Sequence, residues 1–332
     1  MAITKSTDAG ISQRTNVYAE RQMLKHAMAV MVLDKVAKPV RMPKNKSTTI
    51  KFRRPKVFSA ATTPLVEGVT PSTTAFSYED VQATLKQYGQ VVGITDVIED
   101  THEDPVLNDA TQQAGENIGR TMEALMYGVA KAGTNVFYAN GTSRAQVNTA
   151  VSVNKIRAVV RALKRQKAAK ITRILAPSPN YSTKPIEASY VAVCHTDVES
   201  DIRNLAGFVP VAQYGQRQPL CAEEFGALED VRFVTSPDLE PFTSAGSSTT
   251  NGMIATAGNV DVYPILFFGQ EAFGAVALRG QGAVSPTIIP VGQKTKDDPL
   301  GQRGYVGWKT WFAAVILNQL WMARLEVGAT DL

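Results

Sequence analysis

Cys194, His195 and Asp197 are the residues whose types and spacing come nearest to a catalytic site in this chain. A cysteine nucleophile needs a base within reach that removes the thiol proton. Residues 190–194 are predicted to form a strand, and neighbouring residues of a strand point to opposite faces, so Cys194 and His195 would diverge. We therefore expect a buried cysteine that ends a core strand, with Asp197 capping the short helix that follows.

The acidic residues offer a second kind of chemistry, metal binding. Asp197, Glu199 and Asp201 have the spacing of a calcium-binding loop, but Ile202 stands where that loop requires glycine. No metal site is therefore predicted. Two further pairs of acidic residues are predicted to be exposed in turns: Glu223-Glu224 and Glu229-Asp230.

Sequence motifs of common enzyme classes were not found. The chain has no Gly-Lys dipeptide and hence no Walker-type phosphate loop, and it has neither a G-x-S-x-G elbow nor a dinucleotide-binding glycine motif after a strand. Its three histidines are scattered, and His102-Glu103 lacks the second histidine of a zinc-protease helix. We predict a protein that is not an enzyme and needs no cofactor.

The composition is that of a globular protein, with 332 residues, 44% of them hydrophobic and 20% charged. The longest apolar runs, 27–33 and 312–317, are much shorter than the ~20 residues that span a bilayer, so no membrane association is predicted. Two cysteines are too few for a disulfide framework. These features predict synthesis and folding in a reducing cytoplasm.

Positive charge is concentrated at the start of the chain. Residues 1–56 hold thirteen Lys or Arg and three Asp or Glu, whereas the remainder is net negative. Such a segment can bind nucleic acid, dock on the acidic body of a neighbouring copy, or simply be solvated. The candidates for contacts between subunits are Arg41, Lys44, Lys51, Arg53, Arg54 and Lys56. A second basic cluster could face DNA, a neighbour or solvent: Lys164, Arg165, Lys167 and Lys170.

Two early segments are predicted to lack a partner in their own chain that would cover them. Residues 1–15 are predicted to be a loose arm, and a helix with a narrow apolar face follows from Asn16 until Pro39 and Pro43 end it. Residues 47–98 are predicted to be one long hairpin with a tip of ~19 residues. Because a two-stranded ribbon is only marginally stable alone in water, we expect it to lie on another subunit.

A long helix should organise the middle of the chain. Asp104-Pro105 is a good start signal, and apolar residues recur at steps of three or four until Gly133. One apolar stripe on so long a helix predicts that it backs a sheet. The later elements predicted are a basic amphipathic helix at 152–166, strands at 171–175, 190–194, 231–235, 260–268 and 275–278, an irregular stretch at 208–217, and strand or mixed structure at 304–325.

Several motifs occur in a fixed order along the second part of the chain. They are Gln-Tyr-Gly-Gln at 87–90 with Asp-Pro-Val-Leu at 104–107, an aliphatic strand leading to His-Thr-Asp at 195–197, Glu-Glu-Phe-Gly-Ala-Leu-Glu-Asp-Val-Arg-Phe-Val at 223–234, Val-Asp-Val-Tyr-Pro at 260–264, and Asp-Pro-Leu-Gly-Gln at 298–302. From about residue 85 to the end, this series resembles the major capsid proteins of tailed double-stranded DNA bacteriophages, which share the Hong Kong 97-type fold.

The resemblance implies an α+β fold of five parts. These are an N-terminal arm at 1–46, an extended β-hairpin loop at 47–98, a peripheral domain at 99–150 with a spine helix at 105–132, a mainly axial domain at 151–280, and a return to the peripheral domain at 281–332. It also implies a structural protein that assembles into hexamers and pentamers of an icosahedral shell. That shell would enclose packaged double-stranded DNA in the virion and would assemble in the host bacterial cytoplasm.

The same resemblance implies partners. They are copies of the chain itself, a portal protein, the DNA bound without sequence preference and, because the arm leaves no room for a built-in scaffold, a separate scaffolding protein; a decoration protein is also allowed for. Some relatives crosslink a loop lysine to an asparagine, but no motif supports that role for Lys51, Lys56 or Asn318. Two alternatives stay open: an encapsulin-type nanocompartment shell of the same fold, and a nucleic-acid-binding protein that uses the basic arm.

Overall fold

The computed structural model describes residues 31–97, 106–175, 183–215, 218–248, 252–278, 284–294 and 298–332. The helices of these residues are α1 (Leu33–Val36), α2 (Val106–Ala130), α3 (Val153–Arg165) and α4 (Glu199–Arg203), with 3-10 turns at Arg144–Gln146, Thr196–Val198 and Val211–Gln213. The strands are β1 (Lys38–Met42), β2 (Thr49–Pro55), β3 (Tyr78–Thr84), β4 (Lys86–Thr95), β5 (Val136–Tyr138), β6 (Ile171–Leu175), β7 (Thr183–Cys194), β8 (Phe208–Pro210), β9 (Glu224–Leu228), β10 (Val231–Thr235), β11 (Ala255–Thr256), β12 (Asn259–Val260), β13 (Tyr263–Phe268), β14 (Phe273–Leu278), β15 (Val284–Ile289), β16 (Arg303–Ile316) and β17 (Met322–Val327).

A five-stranded sheet within the described residues is built around β16. This strand pairs antiparallel with β4, β14 and β15, and β1 joins β14 in parallel. The 25-residue helix α2 lies on one face, where Ile118 packs with Val306 and Trp308. The indole nitrogen of Trp308 donates a hydrogen bond to Asn117 Oδ1 at 3.1 Å. The prediction of a long helix that backs a sheet is thus confirmed.

An eight-stranded sheet carries the second core of the described chain. Its order is β5-β17-β13-β7-β10-β9-β8, with β6 beside β7. Helix α3 covers one face with Ile156, Val159 and Leu163. The opposite face packs against the C-terminal half of α2, where Met126 and Tyr127 are buried. Because both faces are covered, the central strands carry long apolar runs.

Besides the connection through α2, two further chain crossings connect the sheets and lie side by side. One runs from β13 to β14 and the other from β16 to β17. Leu317 N donates to Ala272 O at 2.8 Å, and Gly269 N donates to Trp321 O at 2.9 Å. The crossings therefore support each other through backbone hydrogen bonds.

The predicted boundaries at residues 150 and 280 do not coincide with the sheets. Strand β14 precedes residue 280 but belongs to the five-stranded sheet, and β5 precedes residue 150 but belongs to the eight-stranded sheet. Within 281–332, β15 and β16 lie in the five-stranded sheet, whereas β17 lies in the eight-stranded sheet, where Ala323, Leu325 and Val327 complete the core under α3. The division into peripheral and axial domains stays a prediction. The stretch predicted to be irregular at 208–217 contains the short strand β8.

The predicted arm is also shorter than expected. Leu33 is fully buried in the core with Met126, and Met42 packs with Val276. Residues 31–42 therefore belong to the body of their own subunit, which corrects the prediction of an arm that reaches residue 46. Pro39 lies inside β1, where it is tolerated because β1 pairs on one side only. Residues 1–30, with most of the predicted helix, lie outside the described residues.

The hairpin is confirmed in part. Strands β2 and β3 pair from Thr49 with Thr84 to Pro55 with Tyr78, and residues 56–77 form its tip. The prediction that residues 86–98 continue the hairpin is wrong. Strand β4 instead pairs along its whole length with β16, because its residue Ile94 completes the core beneath α2.

Candidate assembly surfaces

The hairpin uses two of its predicted contact residues internally. Arg53 donates from Nε and Nη2 to the two oxygens of Asp80, at 2.9 and 3.2 Å. Arg54 donates from Nε and Nη2 to Glu79 Oε2, at 2.9 and 2.7 Å. The hydrogen bond from Arg53 holds the pKa of Asp80 below its usual value. These exposed pairs cross from β2 to β3 and favour the observed strand register.

The other predicted contact residues lie in the hairpin or in the segment that precedes it. Lys44 follows β1, Lys51 lies in the middle of β2, and Lys56 follows β2; all three are exposed, as is Arg41 in β1. The backbone of Lys56 donates to Ser77 O at 2.9 Å and closes the last rung of the ribbon. Lys51 and Lys56 thus lie on the hairpin, whereas Arg41 and Lys44 precede it. Their role as subunit contacts stays a prediction.

The tip carries an apolar surface that sequence reasoning missed. Val57, Leu65, Val66 and Val69 are 92%, 79%, 67% and 63% exposed. At the base of the tip, Phe76 contacts Phe58 and stands edge-on to Tyr78, with ring centroids 5.9 and 4.7 Å apart. An exposed apolar surface of this kind is typical of an interaction site. The available signal was the near-absence of charge between Lys56 and Tyr78, where Glu67 is the one charged residue.

A charge swap tests what Arg53 does. We expect Arg53→Asp alone to lower the yield of assembled particles, because it places two carboxylates opposite each other across the ribbon. Adding Asp80→Arg should restore the yield, as counted by sedimentation and electron microscopy. If the swapped pair assembles no better than the single variant, Arg53 meets an acidic group on a neighbour instead. Lys309→Glu is the matched control, since Lys309 is exposed on β16 and makes no ion pair within the described residues.

The second basic cluster is partly neutralised. Lys170 Nζ lies 2.8 Å from Asp230 Oδ1, and Lys164 pairs with the other oxygen of the same carboxylate. Both lysines hold the pKa of Asp230 below its usual value. Around this cluster, the cations of the described chain that stay exposed and make no ion pair are Arg165, Lys167 and Arg161. The sequence analysis did not single out Arg161.

The Cys-His-Asp group lies at the end of strand β7, where Cys194 was expected, but the cap of the next helix differs. Cys194 is fully buried at the end of β7, and burial raises the pKa of its thiol. The prediction that Asp197 caps the next helix is wrong, because Asp197 N donates to His195 Nδ1 at 3.1 Å. The Asp197 carboxylate instead accepts from the Tyr263 hydroxyl at 2.8 Å. Within the described residues, no group of three or more His, Cys, Asp and Glu could hold a metal.

Glu224 contradicts its predicted exposure. Its carboxylate is buried in β9, where it accepts hydrogen bonds from the Tyr214 hydroxyl at 2.7 Å and from Leu220 N. Arg232 lies beside it, with Nε 3.7 Å from Oε1, and is itself buried. A buried guanidinium requires a counter-charge, which explains why Glu224 points inward. The Glu229-Asp230 turn is as predicted, with Glu229 exposed at φ +52°.

None of the helices in the described ranges is long and apolar enough to cross a membrane.

A long helix on one sheet, a second sheet beside it and a projecting hairpin define the Hong Kong 97-type class of shell proteins. The structure of the capsid of Ralstonia phage GP4 matches with a TM-score of 0.64 at 15% identity, covering 89% of this chain and 88% of that one. The capsid of cyanophage Pam1 matches with a TM-score of 0.59 at 14% identity, covering 92% of each chain. The head structure of Helicobacter pylori bacteriophage KHP40 matches with a TM-score of 0.57 at 12% identity, covering 89% of this chain and 88% of that one.

The family model described as "Phage capsid protein" matches residues 78–325, about three-quarters of the chain. This chain belongs to the phage capsid protein family. None of the curated proteins compared with it matches significantly in sequence. The expected fold class and the structural role of a major capsid protein are confirmed, and neither the encapsulin-type nor the nucleic-acid-binding alternative is favoured.

Proposed function

We propose that this protein assembles into the hexamers and pentamers of an icosahedral shell around packaged double-stranded DNA. The observation that carries the proposal is the tip of the hairpin, residues 56–77, because all of it is exposed although it holds four large aliphatic side chains. Burying such side chains stabilises an interface by ~25 cal/mol per Å² removed from water. A second copy is the partner that a shell always provides.

Assembly then rests on many modest contacts. A stable interface buries ~1,600 Å² in total, and a projecting ribbon is one way for a subunit of this size to supply such an area. The exposed cations Lys44, Lys51 and Lys56 supply charge around the same ribbon. Residues 1–30, the first part of the leading segment, would add a further contact with a neighbour.

DNA is the second partner in this proposal. Arg161, Arg165 and Lys167 form an exposed basic patch on and after α3 that would attract phosphates without reading sequence. Lys164 and Lys170 contribute less because each already pairs with Asp230. A portal protein, a separate scaffolding protein and a decoration protein complete the proposed partners, with assembly in the host cytoplasm.

One electron-microscopy experiment tests the proposal. Purified protein should form closed particles, irregular in size when alone and uniform when co-expressed with the scaffolding protein. Uniform particles from this protein alone would remove the need for a scaffold. Monomers at every concentration and ionic strength, with the scaffold present, would contradict the shell itself.

A further inference from the structure

Glu123 is a buried carboxylate of α2 that holds the first described segment of the chain. Its side chain is fully shielded from solvent. Its oxygens accept the N–H of Val32 at 3.3 Å and the N–H of Leu33 at 3.1 Å. Val32 precedes α1 and offers no side-chain acceptor of its own. Glu123 therefore caps α1 from a position some ninety residues further along the chain.

The surroundings of Glu123 hold like charges and no direct counter-charge. On α1, Asp34 faces it, while Lys35 is engaged with Glu223 at 2.5 Å. Asp238, in the segment after β10, adds a second like charge. Strand β6 also contacts α1, and its charged residue Arg173 is exposed. Within the described residues, Glu123 makes no ion pair.

We propose that Glu123 is a proton-operated latch, which when neutral holds residues 31–37 against α2 and when ionised releases them. The proposal is independent of shell formation, because every contact it uses lies within one subunit. Release of this segment would alter the point from which residues 1–30 leave the body of the subunit.

The direction of the pH effect follows from burial. Burial raises the pKa of Glu123 from 4.5 to about 7, against the opposing effect of the two amide hydrogen bonds, and the charges of Asp34 and Asp238 raise it further. Once the segment is released, water reaches Glu123 and its pKa falls toward 4.5. The docked state thus binds the proton more tightly, so docking is strongest at low pH and weakens as the pH rises through 7. Between pH 5.5 and 8.0 the docking equilibrium should fall by up to about 30-fold.

The other titrating groups near Glu123 either stay ionised in this pH window or act in the same direction as Glu123. Lys35 lowers the pKa of Glu223, so this carboxylate stays ionised between pH 5.5 and 8.0. Burial raises the pKa of Asp34, which acts in the same direction as Glu123. The five-residue ladder between β1 and β14 does not titrate and keeps residues 38–42 in place. The effect should therefore be confined to residues 31–37.

Amide hydrogen exchange of the full chain tests the latch, with rates corrected for the intrinsic effect of pH. In the wild type, protection of residues 33–37 should fall by about 10- to 30-fold from pH 5.5 to 8.0, while β13 keeps its protection. Glu123→Gln keeps an acceptor but cannot ionise, so its protection should change much less with pH than that of the wild type, with Asp34 as the remaining titrating group. Glu116→Gln, on the same helix, is the matched control and should behave as the wild type.

Two results would overturn the latch: pH-independent protection in the wild type, or the same pH dependence in Glu123→Gln. If Glu123→Gln fails to fold, as judged from lost protection of β13, Asp34→Asn takes its place. Removing the Asp34 charge lowers the pKa of Glu123, so the midpoint should move to lower pH. A midpoint that does not move would equally overturn the proposal.

Discussion

Replacing residues 57–76 by a two-residue Asn-Gly turn will abolish particle assembly and leave the subunit folded. Lys56 and Ser77 already face each other as the last rung of the ribbon, so a two-residue turn can close it there. No residue of the removed segment is buried in its own chain. Sedimentation velocity should show small species only, and the thermal unfolding midpoint should change by less than about 4 °C.

A variant that keeps the length of the tip distinguishes the effect of its apolar side chains from the effect of its length alone. Changing Val57, Leu65, Val66 and Val69 together to Ser keeps the tip but removes most of its apolar surface. We expect this variant to assemble poorly as well. Leu300→Ser is the control, since Leu300 is 72% exposed in another part of the chain. Normal particles from the serine variant would show that the tip does not act through apolar contact.

Replacing Glu326 with Ala will destabilise the subunit by about 3 kcal/mol, the loss expected when a buried charge loses its partner. The Glu326 carboxylate is fully buried and accepts two hydrogen bonds from Arg144, both at 2.8 Å. Arg324 Nε lies 2.8 Å from the same carboxylate. The variant leaves the largely buried Arg324 without its counter-charge.

Chemical denaturation of the tip-deleted subunit measures this loss without interference from assembly. Glu326→Gln is the matched comparison, because it keeps an acceptor for one guanidinium and should cost less than the alanine variant. Glu199→Ala provides a surface control, since Glu199 pairs with Arg203 on the exposed side of α4. A Glu326→Ala subunit as stable as the wild type would show that the two arginines find solvent or other partners.

Local periodicity was enough to predict the elements that repeat a simple pattern. Helix α2 was predicted because its apolar residues recur over some seven turns, and β2 because Ile50 and Phe52 alternate with Lys51 and Arg53. What periodicity could not supply was the partner of each element. Strand β4 was assigned to the hairpin as a second extended run, yet its partner β16 lies more than two hundred residues further on.

The same limit applies to charged residues. In β17, Arg324 and Glu326 alternate with apolar residues, a pattern typical of a strand with one face in water. Both are nevertheless buried, because Arg144 and the ring of Phe242 cover that face. Glu224 was predicted to be exposed because it belongs to a pair of adjacent acidic residues assigned to a turn. A distant counter-charge decides such cases, and one sequence does not reveal it.

The hairpin that carries the candidate assembly surface was predicted, but the apolar nature of its tip was not. The hairpin was expected to meet a neighbour through its cations, yet Arg53 and Arg54 are satisfied by Asp80 and Glu79. The apolar tip was overlooked because prolines, serines and threonines dilute its aliphatic residues. Only a structure shows which side chains have no partner within their own chain.

The paired crossings between β13 and β14 and between β16 and β17 have a mechanical consequence. A single covalent link would let the two sheets pivot about it, whereas two links tied together by backbone hydrogen bonds resist bending in the plane of the sheets. Helix α2 braces the same joint, because its two halves lie on different sheets. In the shell proposed above, outward pressure from packaged DNA on one sheet would be passed to the other as tension along the strands, and the two sheets would carry that load together.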